Sequence, residues 1–160
     1  MNRSMEFHSQ LATGVREFHF GKNWTAVDLK THLSETTWKQ ATTQVHGLNT
    51  IAALTYHLNY YITAIIKVLK GGPLEANDLV SFDHPPIQSQ QDWDNLVMRV
   101  YSEADQFASL VEEMTDDQLS QLMPDEKYGT LYRNIQGTIE HCYYHLGQIV
   151  LLKKIITSMH

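Results

Sequence analysis

The segment from Asn49 to Lys70 constrains the fold most. It carries Ile51, Leu54, Leu58, Tyr61, Ile62, Ile65 and Leu69, an apolar surface too wide for a helix that rests on a core with one face only. Such a helix has to be covered on most sides. Asn49 is a good N-cap, and Gly71-Gly72-Pro73 ends the helix, because glycine reaches the left-handed region and proline lacks the N–H that would continue the ladder. His57, Asn59, Lys67 and several threonines interrupt the apolar run. It therefore reads as a buried helix rather than a membrane span.

Three further segments supply the cover. Phe7, Leu11, Val15 and Phe18 recur at three to four residues and predict a first helix from Ser4 to Phe20, with Gly21 as its stop. Trp93, Val97, Val100, Ala104, Phe107, Val111 and Met114 form a near-heptad stripe from Gln90 to Met114. The last helix runs from Thr130 to Thr157. Residues 22–47 hold short helical turns over Val27–Leu33 and Glu35–Thr42, with Ser34 placed to cap the second. Leu74 to Ser89 is a long connection kept extended by Asp83-His84-Pro85-Pro86. Thr115-Asp116-Asp117 ends the third helix and caps a short turn. Strand-like alternation, repeats and low-complexity tracts are missing. The chain reads as one all-α domain over residues 1–160, a four-helix bundle with long connections.

Composition narrows the function. The chain has 160 residues, a formal net charge of −6 and no basic stripe, which argues against a nucleic-acid partner. Cys142 is the only cysteine, so no internal disulfide forms, and a reducing, cytoplasmic setting is expected. The N-terminal residues lack the apolar run of a signal peptide.

The chemistry concentrates in Ile139-Glu140-His141-Cys142-Tyr143-Tyr144-His145-Leu146-Gly147-Gln148. Histidines four apart lie one turn apart on one helix face and can point at one atom. Nine histidines in the chain make one such pair weak evidence alone. Its position says more. With His141 at zero, His145 falls at about 40°, Gln148 at about −20°, Asn134 at about 20° and Thr138 at about 60°. Leu131, Ile149 and Leu152 share this arc, so a polar strip occupies the core-facing stripe. Polar groups there cost free energy unless bonded or ligated. His57 on the second helix sits among Ala53, Leu54, Tyr61, Ala64 and Val68 and also points inward, with Thr55, Asn59, Thr63 and Lys70 on the wetter side. A single inward histidine is more often a hydrogen-bonded core residue than a ligand. Three on two helices are what an open metal site requires.

Leu54-Thr55-Tyr56-His57, together with His141-Cys-Tyr-Tyr-His145-Leu-Gly147-Gln148, resembles the DinB-like (DinB/YfiT) superfamily, in chain length and helix order as well. The resemblance implies a divalent metal, commonly nickel, zinc or iron, held by His57, His141 and His145. It also implies a homodimer, and relatives include thiol-dependent transferases and isomerases. Two functions stay open: a metal-dependent enzyme using a low-molecular-weight thiol, and a non-catalytic, metal-stabilised module that binds a small ligand or a protein. Tyr61, Asn134 and Gln148 are the candidate substrate-orienting residues, and the loop around His84 is a candidate lid. Cys142, about 100° from His141, reads as a buried small hydrophobe. Glu140 reads as a solvated or interface residue rather than a general base, so no carboxylate is evidently aimed at the site. Trp24, Trp38 and Trp93 read as packing residues, and the wide apolar face of the second helix with the tyrosines of the last suggests a dimer face.

Overall fold

The computed structural model describes residues 6–159. Seven α-helices follow in order: α1 (Phe7–Phe20), α2 (Leu29–Ser34), α3 (Trp38–Ala41), α4 (Ile51–Leu69), α5 (Gln90–Glu112), α6 (Asp116–Leu119) and α7 (Leu131–Ser158). Single 3-10 turns sit at Asp78–Val80 and Glu126–Tyr128. Among the described residues the only β-pairing is an isolated bridge between Leu122 and Thr130, and no helix is long and apolar enough to cross a membrane. The expected start of the first helix at Ser4, and His160, lie outside the described residues.

The long helices α1, α4, α5 and α7 make the bundle. Both α1 and α4 pack against α5 and against α7. The expectation of an all-α bundle holds, and α4 is covered within its own chain, with Ile51, Leu58 and Ile62 at 0–1 % exposure. Trp93, Phe18, Phe107, Ile135 and Ile149 fill the centre. Trp93 also donates from Nε1 to the carbonyl of Thr36 at 2.8 Å, which ties α5 to the α2–α3 connection.

Helix ends follow local chemistry, sometimes one or more residues from the expected position. Thr50 rather than Asn49 caps α4, accepting from the Ala53 N–H at 3.1 Å. Thr37 rather than Ser34 caps α3, in a reciprocal box with Gln40, while Ser34 closes α2. Hydroxyl positions three residues before a helical N–H decide this, and both threonines sit there. Gly71, at φ 83°, ends α4, and the Gly72 N–H reaches the Lys67 carbonyl at 2.9 Å in a Schellman turn. The start of α1 is capped from a distance: Asp116 on α6 accepts from the His8 N–H at 3.2 Å.

Two readings of environment need correction. Trp24 is fully exposed. Asn23 donates to the carbonyls of Glu17 and Val27, closing a tight turn that leaves Trp24 at its tip. Thr55 and Asn59 are buried, at 0 % and 3 % exposure, rather than on a wet face. Glu103 of α5 meets this face, accepting from Asn59 Nδ2 at 2.8 Å and from the Thr63 hydroxyl, while the Thr55 hydroxyl is buried with no partner among the described residues. Trp38 and Trp93 do pack on the core.

Candidate metal centre

Packing of α4 against α7 brings His57 to His141 and His145. His57 lies mid-way along α4 among buried Leu54, Leu58 and Ala64. The α7 pair is held by Thr138, Cys142, Leu146 and Ile149, all buried on the same helix. The Nε2 atom of His141 is 3.2 Å from that of His57 and 3.0 Å from that of His145. One ligating atom from each ring lies within 4.8 Å of the other two. Three nitrogens bound at about 2.0–2.1 Å with angles between tetrahedral and octahedral would be about 2.9–3.4 Å apart. His57 and His145 are buried, at 6 % and 7 % exposure, and His141 is half-buried.

Proton positions follow from the partners. His145 Nδ1 is 2.6 Å from the Gln148 amide oxygen, an acceptor only, so Nδ1 carries the hydrogen. His57 Nδ1 is 2.9 Å from the Ser81 hydroxyl, which itself donates to the Asp78 carbonyl at 2.9 Å. Ser81 therefore accepts from His57 Nδ1–H. Both outer rings thus present Nε2 lone pairs toward His141 Nε2, which has at most one hydrogen to offer. One close contact would then be lone pair against lone pair. A cation among the three nitrogens removes that conflict, and the donor set fits one divalent ion. His141 Nδ1 is buried with no partner.

Electrostatics keep the rings neutral. Burial, followed by the neighbouring imidazoles, pushes His57 down to about 4. Burial and then His145 push His141 down to about 4. Burial lowers His145, partly countered by its bond to Gln148. Lone pairs are therefore available at neutral pH, as metal ligation requires. Phe82 stacks flat on His57, centroids 3.7 Å apart at 5°, and Tyr61 meets both His57 and His141 edge-on at 5.1 Å.

Of the other expected residues, Tyr61 stands against the triad, its hydroxyl donating to Asp78 Oδ1. Burial and this bond push Tyr61 up to about 12. Gln148 spends its oxygen on His145. Asn134 donates to the carbonyls of Tyr128 and Thr130 at 2.9 and 2.8 Å, pinning the turn before α7. His84 bonds the Pro85 carbonyl and lies beside Tyr56. It is Asp78 to Phe82, not His84, that covers His57. Cys142 is buried, its thiol pushed up to about 12 by burial. Glu140 is exposed and accepts from Gln136.

The sequence reading missed Ser81, Phe82 and Asp78. They lie in a non-periodic connection, where nothing in the spacing marks a residue as facing a helix. Asp78 amends the expectation that no carboxylate approaches the site, since it reaches the triad through Tyr61. A cleft of about 1150 Å³ opens beside the triad, with His141, Tyr61, Asn134 and Asp78 in its wall.

Comparison with known proteins agrees with this picture. Neither a curated protein nor a solved structure gives a significant match. The family profile described as the DinB superfamily matches residues 23–149. That span leaves out α1 but takes in His57, His141 and His145, together with the loop that covers them. The chain belongs to the DinB superfamily.

Proposed function

We propose that His57, His141 and His145 bind one divalent metal ion, and that the protein is a metal-dependent enzyme acting in the adjoining cleft with a low-molecular-weight thiol. One observation carries this reading: the Nε2 atoms of three neutral histidines converge, and His141 among them lines a cleft of about 1150 Å³. When bound, the ion supplies Lewis acidity that lowers the pKa of a weak acid such as a thiol. Nickel, zinc and iron all suit three nitrogen donors.

The chain's own groups prepare the site. Ser81 and Gln148 hold the hydrogens of His57 and His145 on Nδ1. Phe82 shields the His57 ring from water. Tyr61 stays protonated at neutral pH and, with its hydrogen given to Asp78, offers an oxygen lone pair to a substrate. Asn134 keeps its amide oxygen for the same purpose while its NH₂ group is engaged.

A second reading, a non-catalytic metal-stabilised module that binds a ligand or a partner protein, is favoured by one observation. The Asp78 carboxylate reaches the triad through Tyr61, so no carboxylate touches the three rings directly among the described contacts. Incubating metal-loaded protein with a panel of thiols and an electrophilic acceptor separates the two. Thiol consumption by the wild type and none by the triple His→Ala variant supports the enzyme. No turnover, with chelation lowering only the melting temperature, supports the module.

The same reading includes a homodimer. Tyr144 and Leu151, at 66 % and 58 % exposure, lie a heptad apart on α7 beside exposed Gly147, a surface suited to a second copy. Light scattering at micromolar concentration is expected to give twice the 18.4 kDa chain mass; a monomer mass refutes it.

A further inference from the structure

The cleft beside His141 has a cation in its wall that makes no ion pair among the described residues. Arg133, in the first turn of α7, lines it and is exposed. The other two described arginines are each bonded to a glutamate, Arg16 to Glu112 at 2.6 Å and Arg99 to Glu103 at 2.7 Å. Arg133 has no such partner among the described residues. The carboxylates in the same wall are already engaged, Asp78 with Tyr61 and Glu140 with Gln136.

The position of Arg133 is prepared locally. Gly129 adopts φ 77°, and a Cβ there would come within 3.2 Å of Arg133 Cδ. The glycine therefore leaves a path for the arginine stem. Lys127 lines the same part of the cleft, over the Tyr128 ring at 4.8 Å, and pairs with Asp125, which does not line it. The N-terminal end of a 28-residue helix adds its partial positive charge at this place. Beyond these cations the wall turns apolar, with Leu79, Met123, Ile65 and the Tyr132 ring. Arg133 and His141 are eight residues apart, about 12 Å along α7.

We propose that this cleft binds an elongated organic anion, its carboxylate paired with Arg133, its apolar body along Leu79, Met123 and Tyr132, and its far end at His141. The guanidinium offers the two-pronged donor geometry that a carboxylate takes up. At about 1.2 Å per bond, a span near 12 Å fits an apolar body of eight to ten carbons. The identity of the far end as the reacting end rests on the proposed function; the anion site itself does not.

The test is calorimetric titration of metal-free protein with octanoate, and with 1-octanol as the uncharged control. Octanoate is expected to bind at one site per chain and more tightly than the alcohol. Arg133→Gln, on the exposed surface and so tolerated by the fold, should weaken octanoate about tenfold and leave 1-octanol unchanged, as loss of a charge-assisted bond requires. Equal octanoate affinity in wild type and Arg133→Gln overturns the proposal, as does 1-octanol binding as well as octanoate. Repeating the titration on the metal-loaded protein asks about the far end. An Arg133-dependent affinity in metal-free protein upholds the anion site even if the metal reading fails.

Discussion

Replacing Gln148 by Leu isolates the support of one ring of the triad. The amide oxygen of Gln148 is the acceptor for His145 Nδ1 at 2.6 Å, and that nitrogen has no other partner among the described residues. Leucine has nearly the same volume and no acceptor. The Nδ1 hydrogen then has no partner, and moving it to Nε2 satisfies nothing while blocking the ligand atom. Outer acceptors of metal-bound histidines are worth about 10- to 100-fold in affinity, about 1.4–2.7 kcal/mol. We expect Gln148→Leu to weaken binding of zinc or cobalt by that factor, read by competition with a chromophoric chelator. Gln148→Glu keeps an acceptor and adds charge, so it should bind at least as tightly as wild type. Because no substrate is present, a role of Gln148 in substrate orientation cannot produce this result. Gln148→Leu binding metal within about twofold of wild type would refute the reasoning.

Two further outcomes follow from the core. Burial holds His19 at about 4 in the folded chain against about 6.5 unfolded, so the unfolded state binds more protons between these values, and stability falls as pH drops through that window. At pH 5 the penalty from His19 is about 2 kcal/mol relative to pH 7.5; urea denaturation should show His19→Leu losing less stability than wild type by that amount, and parallel losses would contradict it. Trp93→Phe deprives the buried Thr36 carbonyl of its 2.8 Å donor and should cost about 1–3 kcal/mol in the same assay, so an unchanged midpoint would show that the bond contributes nothing.

Periodicity made the bundle legible, because helices that bury a stripe must repeat it. The stop at Gly71-Gly72-Pro73 was equally readable, since few residues take the conformation that Gly71 adopts. Helical angle places His57, His141 and His145 on inward faces, and the family resemblance is what names them as ligands. What failed were inferences from polarity. Asn59 reads as solvated because a sequence does not say that Glu103 of another helix will meet it, and Thr55 because polarity does not suggest a hydroxyl buried, as this one is, without any partner among the described residues. Trp24 looked like core because the turn that Asn23 closes leaves no periodic trace. Ser81 and Phe82 escaped for a related reason. Their contacts with His57 span 24 and 25 residues of chain through an irregular loop, and only the folded path of that loop selects them.

The central claim is that one divalent ion sits among three histidine nitrogens. The most direct test is metal analysis of untagged protein, never exposed to nickel resin or chelator, in parallel with a His57→Ala/His141→Ala double variant. We expect one equivalent of divalent metal per wild-type chain and almost none in the variant, with the helical content of both unchanged. Equal metal content in the two would contradict it.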